Sequence, residues 1–258
     1  MKKIRLDLLM VERGLVETRS LAQRMVMAGQ VRVNGQVVLK SSAGVVTSME
    51  ISLDQGPRFV SRGGEKLEAA IQAFEINVNG LTCADVGAST GGFTDCLLQN
   101  GARLVYAIDV GKGILHWKMR KRNDVVVMEQ TNARYVERLP EEVQLVSVDA
   151  SFISLKTLLP VIKNWLATPA EVVTLIKPQF EAGKKEVSRG DGVIRDPEIH
   201  QQVLMDTLLF ARTQGFGIKG LIQSPLVGPK GNVEFLAWLI FPGQDSNIEE
   251  LVSMAMIK

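Results

Sequence analysis

The chain has 258 residues, 46% of them hydrophobic, 22% charged and 5% aromatic, with a net charge of +2. This is an ordinary globular composition, with room for one large core, or one large and one small. It excludes a chain built on bilayer-spanning segments, because no apolar run is long enough. It also excludes a disulfide scaffold, because Cys83 and Cys96 are the only cysteines. His116 and His200 are the only histidines and lie in no Cys/His cluster, so no metal is expected. The basic-then-apolar start, MKKIRLDLLMVERGL, looks like a signal peptide. Asp7, Glu12 and Arg13 interrupt it and no small-residue cleavage site follows, so it reads as a helix of the mature protein.

Charge is unevenly spread. Residues 1–40 hold eight Lys and Arg against three Asp and Glu, a net of +5, and the remainder stands at −3. Such a head marks either polyanion contact or a merely solvated basic face. Its first helix is expected from about Arg5 to Arg13, stopping at Gly14. A second, capped by Thr18 or Ser20, ends at Gly29, with Leu21, Met25 and Ala28 on one face and Arg19, Gln23 and Arg24 toward another. In VRVNGQVV, Asn34-Gly35 between valines signals a two-residue hairpin. Gln55-Gly56-Pro57 and Arg62-Gly63-Gly64 read as a linker. The organisation expected is a small α+β unit over 1–60 and a larger one over 61–258.

From residue 80 onward strands alternate with helices. LTCADVG, LVYAIDVG, VVVMEQ, QLVSVDASF and EVVTLIKPQF read as strands, and GGFTDCLLQNG and LKTLLPVIKNWL as helices. Asp196 and Pro197 open a further helix that ends at Gly215. FGIKGLIQSPL and VEFLAWLIF close the chain as two adjacent strands. The fold class expected is α/β, a doubly wound, mostly parallel sheet with an antiparallel edge. Such sheets bind ligands beyond the carboxyl ends of their strands.

The first of those ends is Asp85-Val86-Gly87-Ala88-Ser89-Thr90-Gly91-Gly92-Phe93. It lacks the lysine of a phosphate-binding loop and the spacing of a dinucleotide loop. It is either a cofactor loop or a tight packing turn. Asp109 ends the next strand, where an acid can accept from ribose hydroxyls. Asn132, at the third end, could read an adenine edge. Glycine loop, acid and amide on successive strands suit a nucleoside without phosphate, and S-adenosylmethionine is one. Asp149 ends the fourth strand and Lys177 the fifth, where a lysine closing an apolar strand is costly without partners. The last strand begins Asn232-Val233-Glu234-Phe235, which puts Glu234 near the same rim, and Lys66 lies where the expected linker enters the larger unit.

Together these residues resemble the TlyA-type proteins, sometimes labelled hemolysins. These join an RNA-binding domain of the ribosomal-protein S-four type to a methyltransferase domain of the FtsJ (RrmJ) type. The resemblance rests on the basic head, Ser61-Arg62-Gly63-Gly64-Glu65-Lys66-Leu67, the glycine loop through Thr94, and Val148-Asp149-Ala150-Ser151-Phe152. It also rests on Leu175-Ile176-Lys177-Pro178-Gln179-Phe180 and Gly231-Asn232-Val233-Glu234-Phe235. It implies a Rossmann-like methyltransferase sheet and a catalytic tetrad at Lys66, Asp149, Lys177 and Glu234. S-adenosyl-L-methionine would be held by Asp85, Gly87, Ala88, Ser89, Gly91, Gly92, Phe93, Asp109, Asn132 and Asp149. The implied substrate is ribosomal RNA, free or in ribosomal subunits, at a cytidine 2′-hydroxyl.

The implied chemistry is an in-line displacement at a sulfonium methyl, during which the ribose hydroxyl loses its proton. Lys177 acts either as a neutral base or as a cation that positions the oxygen and stabilises its charge. Arg5, Arg19, Arg24 and Arg32 in the head are the expected phosphate contacts. The region before the expected linker has no Phe, Tyr or Trp, which favours backbone and shape readout over base stacking. The expected setting is cytoplasmic, with no membrane and no obligate protein partner. Two other classes compete. A non-catalytic RNA-binding protein with a retained fold would not bind S-adenosylmethionine, and a membrane-lytic protein would release liposome contents.

Overall fold

The computed structural model describes residues 3–54, 56–182, 192–243 and 247–257. The chain divides into two units, residues 1–58 and 59–258.

The first unit begins with β1 (Lys3–Arg5), which pairs antiparallel with β4 (Gly44–Val46). Arg5 therefore belongs to a strand, and α1 starts one residue later, spanning Leu6–Glu12. The second helix, α2 (Arg19–Met27), is capped by Thr18, whose side chain accepts from the Leu21 backbone N–H. Its buried positions are Ala22 and Val26, with Leu21 and Met25 half-buried beside them. The expected face was rotated by one residue, and Ala28 is exposed. β2 (Val31–Val33) and β3 (Gln36–Val37) form the expected hairpin, with Asn34 and Gly35 at φ 49° and 79° as its turn requires. β5 (Ile51–Leu53) adds a third strand on β2. Leu6, Leu9, Met10, Val26, Val31 and Ile51 meet in one small core.

Within that core lies a charge. Asp7 is fully buried on α1 and accepts from Arg5, Arg19 and Gln23 at 2.9–3.0 Å. The Arg5 guanidinium, with help from Gln23 and Arg19, holds its carboxyl well below the usual carboxylate range despite burial.

Of the expected linker, Gln55 lies outside the described residues. Arg62-Gly63-Gly64 is not a linker: Gly63 and Gly64 are the first residues of α3 (Gly63–Ala73). Close packing explains the glycine, since a Cβ at Gly64 would sit 2.3 Å from the Phe59 ring.

The second unit is a seven-stranded sheet. Its strands are β6 (Thr82–Val86), β7 (Leu104–Ile108), β8 (Val125–Met128), β9 (Val143–Val148), β10 (Leu166–Ile176), β11 (Gly217–Gln223) and β12 (Phe235–Phe241). The order is β11-β12-β10-β9-β6-β7-β8. The last five are parallel, and β12 runs antiparallel between β10 and β11. Cores on both faces explain why the inner strands read as unbroken apolar runs. α4 (Gly92–Gln99), α5 (Trp117–Arg120), α6 (Leu155–Ile162), α7 (Pro178–Glu181), α8 (Pro197–Thr213) and α9 (Ile248–Met256) surround the sheet. Asp196 caps α8 by accepting from the Glu198 N–H. Among the described residues, no helix is long and apolar enough to cross a membrane, and no His/Cys/Asp/Glu group could hold a metal ion.

Register brings distant residues to one rim. Val86 pairs with Val148, Val148 with Thr174, and Ile176 with Phe235. Gly87 and Asp149 follow their strands at this edge. Lys177 leaves β10 beside Glu234, because β12 enters where β10 exits.

Candidate active site

Lys177 is 7% exposed at the end of β10, where Pro178 opens α7. Its Nζ lies 2.6 Å from Asp149 Oδ1 and donates to Ser151 Oγ at 3.1 Å. The buried ammonium thus has a counter-ion and a hydroxyl acceptor, which offset the loss of water. Lys66, on α3, donates from Nζ to Glu234 Oε2 at 2.6 Å. The Glu234 side chain is fully buried. Its Oε1 is packed against Gly228, where a Cβ would fall 2.1 Å away, so only glycine fits over it. The four residues therefore form two ion pairs, Lys66–Glu234 and Lys177–Asp149.

The glycine loop divides into an open and a closed half. Gly87, at φ 84°, is half-buried, and a Cβ there would meet the Asp149 carbonyl at 2.7 Å. Ser89 and Thr90 are exposed. Ala88, Gly91, Gly92 and Phe93 are buried. A Cβ on Gly92 would strike Ser61 Oγ at 2.3 Å and the Gly64 amide at 2.8 Å, so that glycine serves the packing of α4 on α3. Asp85 is also sealed off. Thr94 Oγ1 donates to its Oδ2 at 2.7 Å and Ser147 Oγ to its Oδ1 at 3.1 Å. Burial, the largest influence, pushes its carboxyl up to about 7 against these two hydroxyls.

Asp109 follows β7 and is half-buried. It accepts the Ser89 N–H at 2.8 Å and the Gly111 N–H at 2.7 Å, which fixes the carboxylate beside the open half of the loop. Asn132 is exposed, and its side-chain oxygen accepts from the Arg134 N–H as a local cap.

In the first unit, the four arginines are not equivalent. Arg5 and Arg19 are committed to Asp7, and Arg32 is paired with Asp54 at 2.9 Å. Arg24 is exposed and, among the described residues, has no carboxylate partner.

Sequence reasoning passed over Ser151 and Phe152, although both lie in a motif it singled out. Ser151 accepts from Lys177. Phe152 is 90% exposed at φ 64°, with its ring 4.9 Å from that of Phe180. A large apolar side chain after a strand-ending acid was the available signal. Glu129 was also missed. It accepts from the amides of Gly113, Ile114 and Leu115 at 2.7–3.0 Å and pairs with Arg120.

The sheet order, the antiparallel β12 and the glycine loop after β6 define a Rossmann-like methyltransferase fold, here preceded by a small α+β unit. The chain belongs to the FtsJ-like methyltransferase family, whose model matches residues 59–241, and an S4 domain matches residues 4–51. It is 43% identical over 242 residues to the 16S/23S rRNA (cytidine-2′-O)-methyltransferase TlyA of Mycobacterium tuberculosis, covering 92% of this chain and 90% of that protein. Identity is also 43% to Hemolysin A of Brachyspira hyodysenteriae, over 92% of this chain and 100% of that one. A solved structure titled as a hemolysin of Streptococcus thermophilus is 44% identical, with a TM-score of 0.73 over 99% of this chain and 96% of that chain.

Proposed function

We propose that this methyltransferase acts on ribosomal RNA, transferring a methyl group from S-adenosyl-L-methionine to the 2′-hydroxyl of a cytidine ribose. The observation that carries the reading is the meeting of the two ion pairs, Lys66–Glu234 and Lys177–Asp149, at the strand ends beside the glycine loop.

The rim fits a nucleoside cofactor without phosphate. Its open half offers backbone at Gly87 and Ser89 and a fixed carboxylate at Asp109, with no lysine in the loop. Asp109 would accept from ribose hydroxyls, Asn132 would face the base, and Asp149 would border the methyl donor. Asp85, Gly91, Gly92 and Phe93 would support the loop from beneath rather than touch the cofactor. S-adenosyl-L-methionine, when bound, supplies an electrophilic methyl group on sulfonium.

The chain's own residues must then orient a ribose hydroxyl and manage its proton. Lys177 is the group for this task. Asp149 and Ser151 fix its Nζ, so its direction is set before substrate arrives. Lys177 either takes the proton as a neutral amine or, as a cation, stabilises the developing oxyanion. Glu234 is a positioning residue, because its buried carboxylate pairs through Oε2 with Lys66. The S4 domain would bring RNA phosphates to the exposed Arg24. A ribosomal RNA substrate, free or in subunits, would be met in the cytoplasm.

Calorimetric titration tests the cofactor half of the reading. S-adenosylmethionine should bind the wild-type chain, and Asp109→Ala should weaken binding by about 1–3 kcal/mol, the cost of stranding ribose hydroxyls. No heat with the wild-type chain would contradict it.

A further inference from the structure

The first unit has no aromatic side chain with which to stack a base, but the second exposes one beside the glycine loop. Trp117 opens α5 and is 58% exposed. Its exposure is built in. On the same short helix Met119 is buried, and Leu115 just before it packs where a Cβ on Gly91 would meet it at 2.9 Å. The inward side of the segment is thus filled by Leu115 and Met119, and the indole is left outside.

The segment is also rigid and basic. The His116 N–H donates to the Thr90 carbonyl in the glycine loop at 3.1 Å. Glu129 grips three successive amides, Gly113 to Leu115, together with Arg120. Arg120, with these amides, holds the Glu129 carboxyl down at about 2, so the clamp stays charged at any working pH. Residues 110–122 contain five Lys and Arg and no acid. Arg120 and Arg122 are neutralised by Glu129 and Asp124. Among the described residues, Lys112 and Lys118 are exposed and meet no carboxylate, and Lys121 lies over the Trp117 ring at 5.1 Å.

An exposed indole, with Lys121 over one face and the unneutralised Lys112 and Lys118 in the same segment, matches one partner chemistry, an unpaired nucleotide with its phosphates. Building on the reading of the chain as an RNA methyltransferase, we propose that Trp117, Lys112 and Lys118 form a docking platform for single-stranded RNA, with Trp117 stacking on a base and the lysines contacting the flanking phosphates. The platform would give the catalytic unit its own hold on an unpaired segment beside the cofactor loop. A second copy of the chain seated on the indole is the rival occupant. The surplus of positive charge on the same surface argues against self-association.

The test uses the full chain and a fluorescein-labelled oligocytidylate of about 12 nucleotides, a length that OB-type single-strand sites span. Trp117→Ala should weaken binding roughly tenfold, within the range for one stacked base, and Trp117→Phe should keep most of the affinity. Lys112→Glu with Lys118→Glu should weaken binding and flatten its salt dependence by about two units of slope. S-adenosylmethionine affinity, measured by calorimetry, should be unchanged in all of these variants. Affinity within twofold of wild type for Trp117→Ala, or a change of oligomeric state in place of RNA affinity, would overturn the platform. A wild-type chain that binds the oligonucleotide through Trp117 but takes up no S-adenosylmethionine would overturn the methyltransferase reading and leave the platform standing.

Discussion

Lys66 and Glu234 stand 168 residues apart in the chain, yet the lysine Nζ lies 2.6 Å from a glutamate oxygen that no solvent reaches. The contact ties α3, at the start of the second unit, to the entry of β12, near its end. Breaking such a pair from one side leaves the other charge without its counter-ion.

Glu234→Gln should therefore destabilise the protein by about 3 kcal/mol in urea unfolding. Lys66→Met with Glu234→Gln together should cost less than the sum of the single changes, with a coupling of about 1–3 kcal/mol. Strict additivity would mean that the pair is not formed in solution.

In the first unit, reversal of two arginines should have separable effects. Arg24→Glu should weaken RNA binding and lower the salt slope by about one, with stability unchanged. Arg5→Glu should lower stability, because it removes two charged hydrogen bonds from buried Asp7. The Asp7 carboxyl is depressed in the folded state, so its contribution is present above about pH 4 and fades as the pH falls through the lower folded value. Amide hydrogen exchange in residues 6–27 measures both effects. Equal loss of protection in the two variants would contradict the distinction.

Asp85 works in the opposite sense. Burial raises its carboxyl to about 7, whereas an unfolded aspartate titrates near 4. Between about 4 and about 7 the unfolded chain releases the proton and the folded chain keeps it, so folded stability falls as the pH rises through that window. Relative to Asp85→Asn, the wild type should lose on the order of a few kcal/mol between about pH 4 and about pH 8. A pH-independent difference between the two would place the charged carboxylate in a solvated site.

The parallel strands were legible because both their faces are covered, which writes each as a short apolar run. The rim followed from the residues that end them, Asp109, Asp149 and Lys177. Less was legible where packing overrides local preference. Gly63 and Gly64 read as a linker, yet the close approach of Phe59 demands glycine at position 64, and the helix continues through Leu67, Ala70 and Ile71 with a buried face. That spacing was the signal for α3. β1, β4 and β5 are three residues each and depend on partners across the chain rather than on a pattern of their own. The two ion pairs are tertiary facts, and no sequence spacing sets which lysine meets which acid.

Lys177 separates a base from a positioning charge. Arginine keeps the positive charge but cannot become neutral at any accessible pH. Lys177→Arg and Lys177→Met should both abolish single-turnover methyl transfer at saturating substrates, with RNA and cofactor affinities little changed. If Lys177→Arg keeps most of the rate, positive charge suffices and the base role falls.

The central claim is the identity of the methylated atom. Purified wild-type chain should be incubated with methyl-labelled S-adenosylmethionine and unmodified ribosomal RNA, and the RNA digested to nucleosides and resolved by mass spectrometry. The account expects the label in 2′-O-methylcytidine, and its loss with Lys177→Met. Label on a base, or no transfer by a chain that binds both S-adenosylmethionine and the RNA, would contradict it.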